Sequence, residues 1–211
     1  MIVPENVQQR GIILKFFICR QTAKTFHEKL GSFRKIIGKK AELRLLNAPH
    51  LVPAQNSEAV EQRGWWFSQP HDYFKSDDVS DCDKGFHESL SLIRKAIEED
   101  GPFDGIMGFS QGAALAALIC LKAEFKFRFA MLFAPFISPC TRHAEFYAKK
   151  ADIPVMFVIG EGDQVVAFER GQALTAFFTN ATVVKHEGGH FVPATSKQKQ
   201  SYLTFLDSQM Q

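Results

Sequence analysis

Residues 101–120 read GPFDGIMGFSQGAALAALIC, an apolar run that breaks at Gly108-Phe109-Ser110-Gln111-Gly112 and then resumes. Before the break, Phe103 to Phe109 is short, apolar and aromatic, as a strand buried on both faces would be. After it, Gln111 to Leu121 is rich in Ala and Leu, the composition of a helix. A strand thus hands over to a helix with almost no loop, and a serine stands at the junction. In Gly108-x-Ser110-x-Gly112 this is the context a nucleophile elbow requires: a strained turn aims the hydroxyl outward, and the glycines leave room where the chain doubles back. The helix start adds free amides and the positive end of its dipole beside the serine, where charge would develop on a substrate oxygen. The competing reading is a plain helix N-cap, a common role for serine.

The rest of the chain extends the same pattern. Ile12 to Ile18, Glu42 to Leu46, Phe127 to Phe133, Val155 to Ile159 and Thr182 to Lys185 are further short, continuously apolar segments expected as strands buried on both faces. Between them Thr22 to Ile37, Ser80 to Glu98, Glu169 to Phe178 and Ser196 to Asp207 carry apolar residues three or four apart, the helical spacing. Alternating strands and helices predict an α/β fold, a doubly wound and mainly parallel sheet of about six strands with helices on both faces. No Pro-, Gly- or Ser-rich stretch divides the 211 residues, so one domain over residues 1–211 is expected. Folding at this length buries roughly 70% of the unfolded surface, enough for a core without disulfides or metals.

One segment departs from the alternation. Asn47 to Asp78 joins a strand to a helix through a long stretch containing Arg63-Gly64-Trp65-Trp66-Phe67, and both tryptophans of the chain fall in it. Connections of that length are uncommon and often functional. The two readings are a satellite core packed under the excursion and an apolar wall or lid at a ligand site, with Trp65, Trp66 and Phe67 touching substrate.

In α/β folds of the elbow type an acid and a histidine follow the serine in that order along the chain. After the strand Val155 to Ile159 comes Gly160-Glu161-Gly162-Asp163, a carboxylate just past a strand's C-terminal end, where ligand and catalytic groups gather. Asp163 is the expected acid, Glu161 the fallback, and a turn aspartate the alternative. After the last strand comes His186-Glu187-Gly188-Gly189-His190-Phe191-Val192-Pro193. His190 is preferred to His186 because the glycine pair gives its loop conformational freedom; His27, His50, His71, His87 and His143 are expected on the surface. A neutral serine attacks poorly until an imidazole takes its proton, and the imidazole needs a carboxylate to hold its tautomer. Ser110, His190 and Asp163 would supply those three roles. The backbone amide of Gln111 is the expected first oxyanion donor, and the loop Ile18-Cys19-Arg20-Gln21, through the Cys19 amide, the second.

Composition narrows the partners. Lys and Arg total 25 against 23 Asp and Glu, scattered along the chain, which argues against nucleic acid. Cys19, Cys82, Cys120 and Cys140 form no CxxC pair and read as reduced thiols. The N-terminal MIVPENVQQR lacks the charged start and apolar core of a signal peptide, and Ile12 to Cys19 is too short to span a bilayer. An intracellular, cytoplasmic location is expected.

With these residues in hand the chain resembles the FSH family of small serine hydrolases. Gly101-Pro102-Phe103-Asp104-Gly105 leading into Gly108-Phe109-Ser110-Gln111-Gly112-Ala113-Ala114 is similar to the family's elbow, Arg63-Gly64-Trp65-Trp66-Phe67 to its tryptophan-phenylalanine segment, and Gly188-Gly189-His190-Phe191-Val192-Pro193 to its histidine loop. The resemblance implies an α/β-hydrolase fold and hydrolysis of carboxylic esters, plausibly with apolar acyl chains. It also implies a Ser110, Asp163, His190 triad working without metal or organic cofactor. Where the family usually has Gly followed by Phe or Tyr after the first strand, this chain has Ile18-Cys19, and a β-branched residue narrows the backbone options there. Thioesters and amides yield to the same machinery, and a binding module that keeps the fold without the chemistry is the rival from another class. A flavodoxin-like nucleotide site is disfavoured, because the elbow lacks the Lys of a phosphate-binding loop and no GxGxxG follows the first strand.

Overall fold

The computed structural model of the chain describes residues 11–15, 23–53 and 61–210. Its centre is a six-stranded sheet built from β1 (Gly11–Lys15), β2 (Ala41–Leu45), β5 (Gly105–Phe109), β6 (Phe129–Phe133), β7 (Ala151–Gly160) and β8 (Phe178–His186). The strands lie in the order β2-β1-β5-β6-β7-β8, and every pairing is parallel. β3 (His50–Leu51) and β4 (Arg63–Gly64) form a separate antiparallel pair within the excursion.

The helices are α1 (Ala23–Lys29), α2 (Gly31–Ile37), α3 (Phe86–Asp100), α4 (Gln111–Lys122), α5 (Phe168–Leu174) and α6 (Ser196–Gln209), with 3₁₀ turns at Thr141–Ala148 and Thr175–Phe177. The chain moves outward from β1 to β2, then returns past β1 to β5. Right-handed crossovers therefore send the helices of these two excursions to opposite faces of the sheet. That reversal between β1 and β5 is the topological switch point, outside whose strand C-termini such sheets place their sites.

The central strands are apolar because both of their faces are covered. All residues of β5 and of β6 are buried, as are Gln111 to Cys120 of α4. On one face Phe33 of α2 meets Phe133 of β6 and Tyr202 of α6, with ring centroids 5.4 and 5.2 Å apart. At about 25 cal/mol per Å² of apolar surface removed from water, aromatic contacts of this kind carry much of the core's stabilisation.

Several boundaries differ from the sequence expectation. β2 alternates between inward and outward residues, and much of β8 is exposed, because both are sheet edges with one covered side rather than strands buried on both faces. The helix expected over Thr22 to Ile37 is two segments meeting at Leu30. The helix expected from Ser80 starts only at Phe86, after Gly85 at φ +90°. Residues 80–83 instead dock beside 140–142: Thr141 N–H donates to Ser80 O at 2.8 Å, and Arg142 pairs with Asp83 at 3.4 Å. Glu169 to Phe178 divides into α5, a 3₁₀ turn and the start of β8. Among the described residues no helix is long and apolar enough to cross a membrane.

Candidate active site

Ser110 stands between β5 and α4 with φ 54° and ψ −120°, a region L-residues occupy only when their surroundings force it. Its amide donates to Phe133 O at 2.9 Å, and its carbonyl accepts from the Ala113 and Ala114 amides at 2.9 and 3.0 Å. The elbow is thus tied to the neighbouring strand and to its own helix. A side chain at Gly108 would lie 2.3 Å from the Gly112 carbonyl oxygen, so only glycine lets α4 start this close to β5. The Ser110 side chain makes no cap hydrogen bond to the helix, which removes the plain N-cap reading.

The hydroxyl is instead 3.0 Å from Nε2 of His190, whose Nδ1 lies 2.7 Å from Oδ2 of Asp163. Asp163 follows β7 and His190 follows β8, so three strand C-termini converge on one point. The other oxygen of Asp163 accepts the amides of Val165 and Val166 at 2.8 and 2.9 Å. Burial pushes this carboxyl up, but the hydrogen bonds from His190, Val166 and Val165 together outweigh it and hold Asp163 below the usual carboxylate range. An anionic Asp163 fixes the proton of the neutral imidazole on Nδ1 and leaves the Nε2 lone pair facing the serine hydroxyl. The Phe109 ring, 4.7 Å from that of His190, supports the imidazole from the β5 side.

The acid and histidine loops are pressed together by glycines. The Glu161 and Gly162 amides donate to His186 O at 2.8 Å and Gly188 O at 3.2 Å. A Cβ at Gly160 would sit 2.5 Å from Gly188 O, and one at Gly188 would sit 2.4 Å from the Phe191 ring. Room for close approach is what Gly160 supplies to the two loops, and neither Gly188 nor Gly189 adopts positive φ. Glu161, the fallback acid, has an exposed side chain. His186, the competing histidine, is buried beneath this loop with its ring 5.3 Å from Phe191, and burial lowers its pKa.

Gln111 opens α4 next to the serine, and its amide is one of those a helix start leaves without an intrahelical partner. Cys19 and its neighbours Ile18, Arg20 and Gln21 lie outside the described residues. Trp65, Trp66 and Phe67 are 0, 1 and 3% exposed, so their rings are core rather than free surface. Trp66 meets Phe74, Phe86 and His143 edge-on at 5.4, 6.0 and 5.6 Å.

His143 is not the surface residue expected. It is buried against the Phe86 ring at 4.2 Å, and its Nδ1 lies 2.7 Å from Ser138 Oγ. Burial drives its pKa down to about 4, against a smaller upward pull from Asp83. His50 is also half-buried, with Nε2 2.8 Å from Gly85 O. The polar residues that sequence reasoning missed, Ser89, Ser138 and the Gln111 side chain, all bond across elements. Only Ser89 left a trace, a polar residue among the inward positions Phe86, Leu90 and Ile93 of α3. Cys82, Cys120 and Cys140 form no disulfide, and burial raises the Cys120 thiol to about 12.

A parallel sheet with a serine at an elbow after β5, and with a carboxylate and a histidine after β7 and β8, defines an α/β hydrolase. The crystal structure of Zea mays acyl-protein thioesterase 2 shares the fold at a TM-score of 0.64 and 16% identity, covering 100% of this chain and 97% of that one. The model of the serine hydrolase (FSH1) family matches residues 10–202, and the chain belongs to that family of enzymes. Its relatives include Esterase OVCA2 of Xenopus tropicalis, 42% identical over 220 residues with 97% of this chain and 96% of that protein covered. Esterase OVCA2 of Danio rerio is 41% identical over 209 residues, covering 89% and 92%.

Proposed function

We propose that this serine hydrolase cleaves carboxylic esters through a Ser110, His190, Asp163 triad and an acyl-enzyme intermediate. The observation that carries the reading is the pair of contacts made by one imidazole, 3.0 Å to the serine hydroxyl and 2.7 Å to the carboxylate. Ser110 Oγ attacks the ester carbonyl carbon as its proton passes to His190 Nε2. The carbonyl π electrons move onto oxygen, where the Gln111 amide stabilises the charge. As the tetrahedral intermediate collapses, the bond to the alkoxy oxygen breaks and the departing alcohol takes the proton from Nε2. Water then attacks the acyl-serine with His190 as base, and the acid leaves as Nε2 returns the proton to Ser110. Asp163 holds the ring and stabilises the imidazolium in both halves.

Apolar acyl groups suit the rim of the site. Val165 and Phe191 are 57% and 50% exposed, and they stand two residues beyond Asp163 and next to His190. Large apolar surface left open beside a reactive centre favours an apolar substrate group. With the Trp65, Trp66 and Phe67 rings packed inside, we assign the acyl contact to these two side chains on their exposure and their position in the chain beside Asp163 and His190. Thioesters offer the same carbonyl geometry, and matched esters and thioesters assayed side by side rank the two substrate classes.

The decisive experiment is covalent. A fluorophosphonate probe should label the wild-type protein at Ser110, and Ser110→Ala should lose both the label and ester turnover, by on the order of a millionfold in kcat. Folded wild-type protein that takes no label would favour the binding-module reading.

A further inference from the structure

The Gln111 side chain links the site to the excursion. It is fully buried, although a residue at the mouth of a helix beside a reactive serine would ordinarily face solvent. A buried amide must be paired at both ends. Gln111 Oε1 accepts the Trp65 amide at 3.0 Å, and its Nε2 donates to the Trp66 carbonyl at 2.7 Å. The Trp65 carbonyl between them accepts Ser89 Oγ at 2.5 Å. Three backbone groups of the Trp65–Trp66 segment are thus held by side chains of α4 and α3. The Trp66 ring, wedged among Phe74, Phe86 and His143, keeps that segment from yielding.

We infer that the Gln111 side chain is a positioning residue: by clamping the Trp65–Trp66 backbone it locks the orientation of its own amide, the oxyanion donor of the reading above. The physical reason lies one bond upstream. Ser110 is held at φ 54° and ψ −120°, and rotating the Ser110–Gln111 peptide is the shortest route by which that strain could relax. The N–H that would face the oxyanion lies in the same peptide plane, so relaxation would swing it away. The bonds from the Ala113 and Ala114 amides to the Ser110 carbonyl hold one edge of that plane, and a Gln111 side chain fixed at both polar ends adds to their resistance on the side of the N–H. The tryptophan-phenylalanine segment then serves the chemistry through its backbone, as an abutment for the elbow.

The test measures kcat for a p-nitrophenyl ester per active site, with sites counted by fluorophosphonate titration. Misplacing an oxyanion donor has an effect on the order of tenfold to a hundredfold, smaller than removing it. Gln111→Met keeps the shape and loses both hydrogen bonds; kcat per titrated site should fall by that factor while KM stays within about twofold. A purely structural role would lower the number of titratable sites and leave kcat per site unchanged, which overturns the inference. Gln111→Glu provides the second arm, and it decides the matter if the Met variant fails to fold. A neutral carboxyl offers one donor and one acceptor like the amide, and burial raises its pKa. Its kcat, divided by that of wild type at the same pH, should start near unity at the acid end and decline as pH rises through the carboxyl's titration. A ratio that does not change with pH overturns the inference. Ester turnover surviving in Ser110→Ala would instead defeat the underlying catalytic reading, an outcome separable from either Gln111 result.

Discussion

The elbow is buried throughout, whereas between Arg63 and Gly85 the aromatic excursion is buried only at Gly64 to Ser68, and the two are held in different ways. From Gly105 to Cys120 the chain is sealed inside by regular elements, a parallel strand and a helix whose backbone groups pair by rule. From Arg63 to Gly85 it is nearly irregular, and its backbone is satisfied largely by side chains. Gln111 and Ser89 hold the tryptophans, Arg63 donates to the Ala48 and Pro49 carbonyls at 3.2 and 3.1 Å, and Ser80 Oγ donates to Ser68 O at 2.7 Å. A regular element is robust to most single substitutions on its polar groups; an irregular one depends on a few named side chains. The proposed chemistry sits at the elbow, and the excursion braces it through the Gln111 side chain.

Mutations can pull these two contributions apart. The largest contrast is Ser110→Ala against Trp66→Ala. The first should abolish turnover and leave the thermal midpoint within a few degrees. Trp66→Ala should destabilise by about 3 to 5 kcal/mol, as large aromatic truncations do. It should also lower turnover of short- and long-chain esters alike, since the ring offers no surface to an acyl chain; denaturant unfolding and a chain-length series check both halves. A selective loss of long-chain turnover would return Trp66 to the site as an acyl contact.

Acid provides the next contrast. His143 packs the excursion against the 3₁₀ turn, and its folded pKa of about 4 lies below the ordinary value of 6.5. Between those values the unfolded chain binds the proton more readily, so stability is full above the upper one and is lost as pH falls toward the lower. The loss amounts to about 3 kcal/mol if the shift is realised in full. His186, lowered in the same direction, adds to it, and Asp163, held low, extends it to more acidic pH. Thermal midpoints measured from pH 7 to pH 4 should slope less in His143→Phe than in wild type.

The smallest effect is expected at the rim. Phe191→Ala removes half-exposed surface, so stability should hardly change, while kcat/KM for long-chain esters should drop roughly tenfold, equivalent to about 1.4 kcal/mol. A short-chain ester should register little; equal losses for both would remove Phe191 from the acyl site.

The same contrast explains what could be read in the sequence. Central strands and α4 announce themselves because apolar runs and helical spacing are side-chain patterns imposed by a regular backbone. The order Ser110, Asp163, His190 was legible for a related reason: each residue follows a strand end marked by glycine. Edge strands were read as too deeply buried, since a short run such as Thr182 to Lys185 looks alike at an edge and at the centre. The position of His143 and the start of α3 were not legible, and the inward turn of the tryptophans was one of two readings the sequence left open. They follow from bonds between a side chain and a distant backbone, such as Ser89 to Trp65, which leave no periodic mark.

The acid and histidine loops are joined tip to tip by two backbone hydrogen bonds, from Glu161 and Gly162 to His186 and Gly188, with no side chain between them at Gly160 and Gly162. Two backbone hydrogen bonds couple the loops, so a displacement of one is expected to carry the other. Such coupling would preserve the contact between carboxylate and ring and leave the one between imidazole and serine as the distance free to vary. In the proposed mechanism, coupled loops of this kind would leave the serine–imidazole contact as the adjustable one, a clutch on proton transfer.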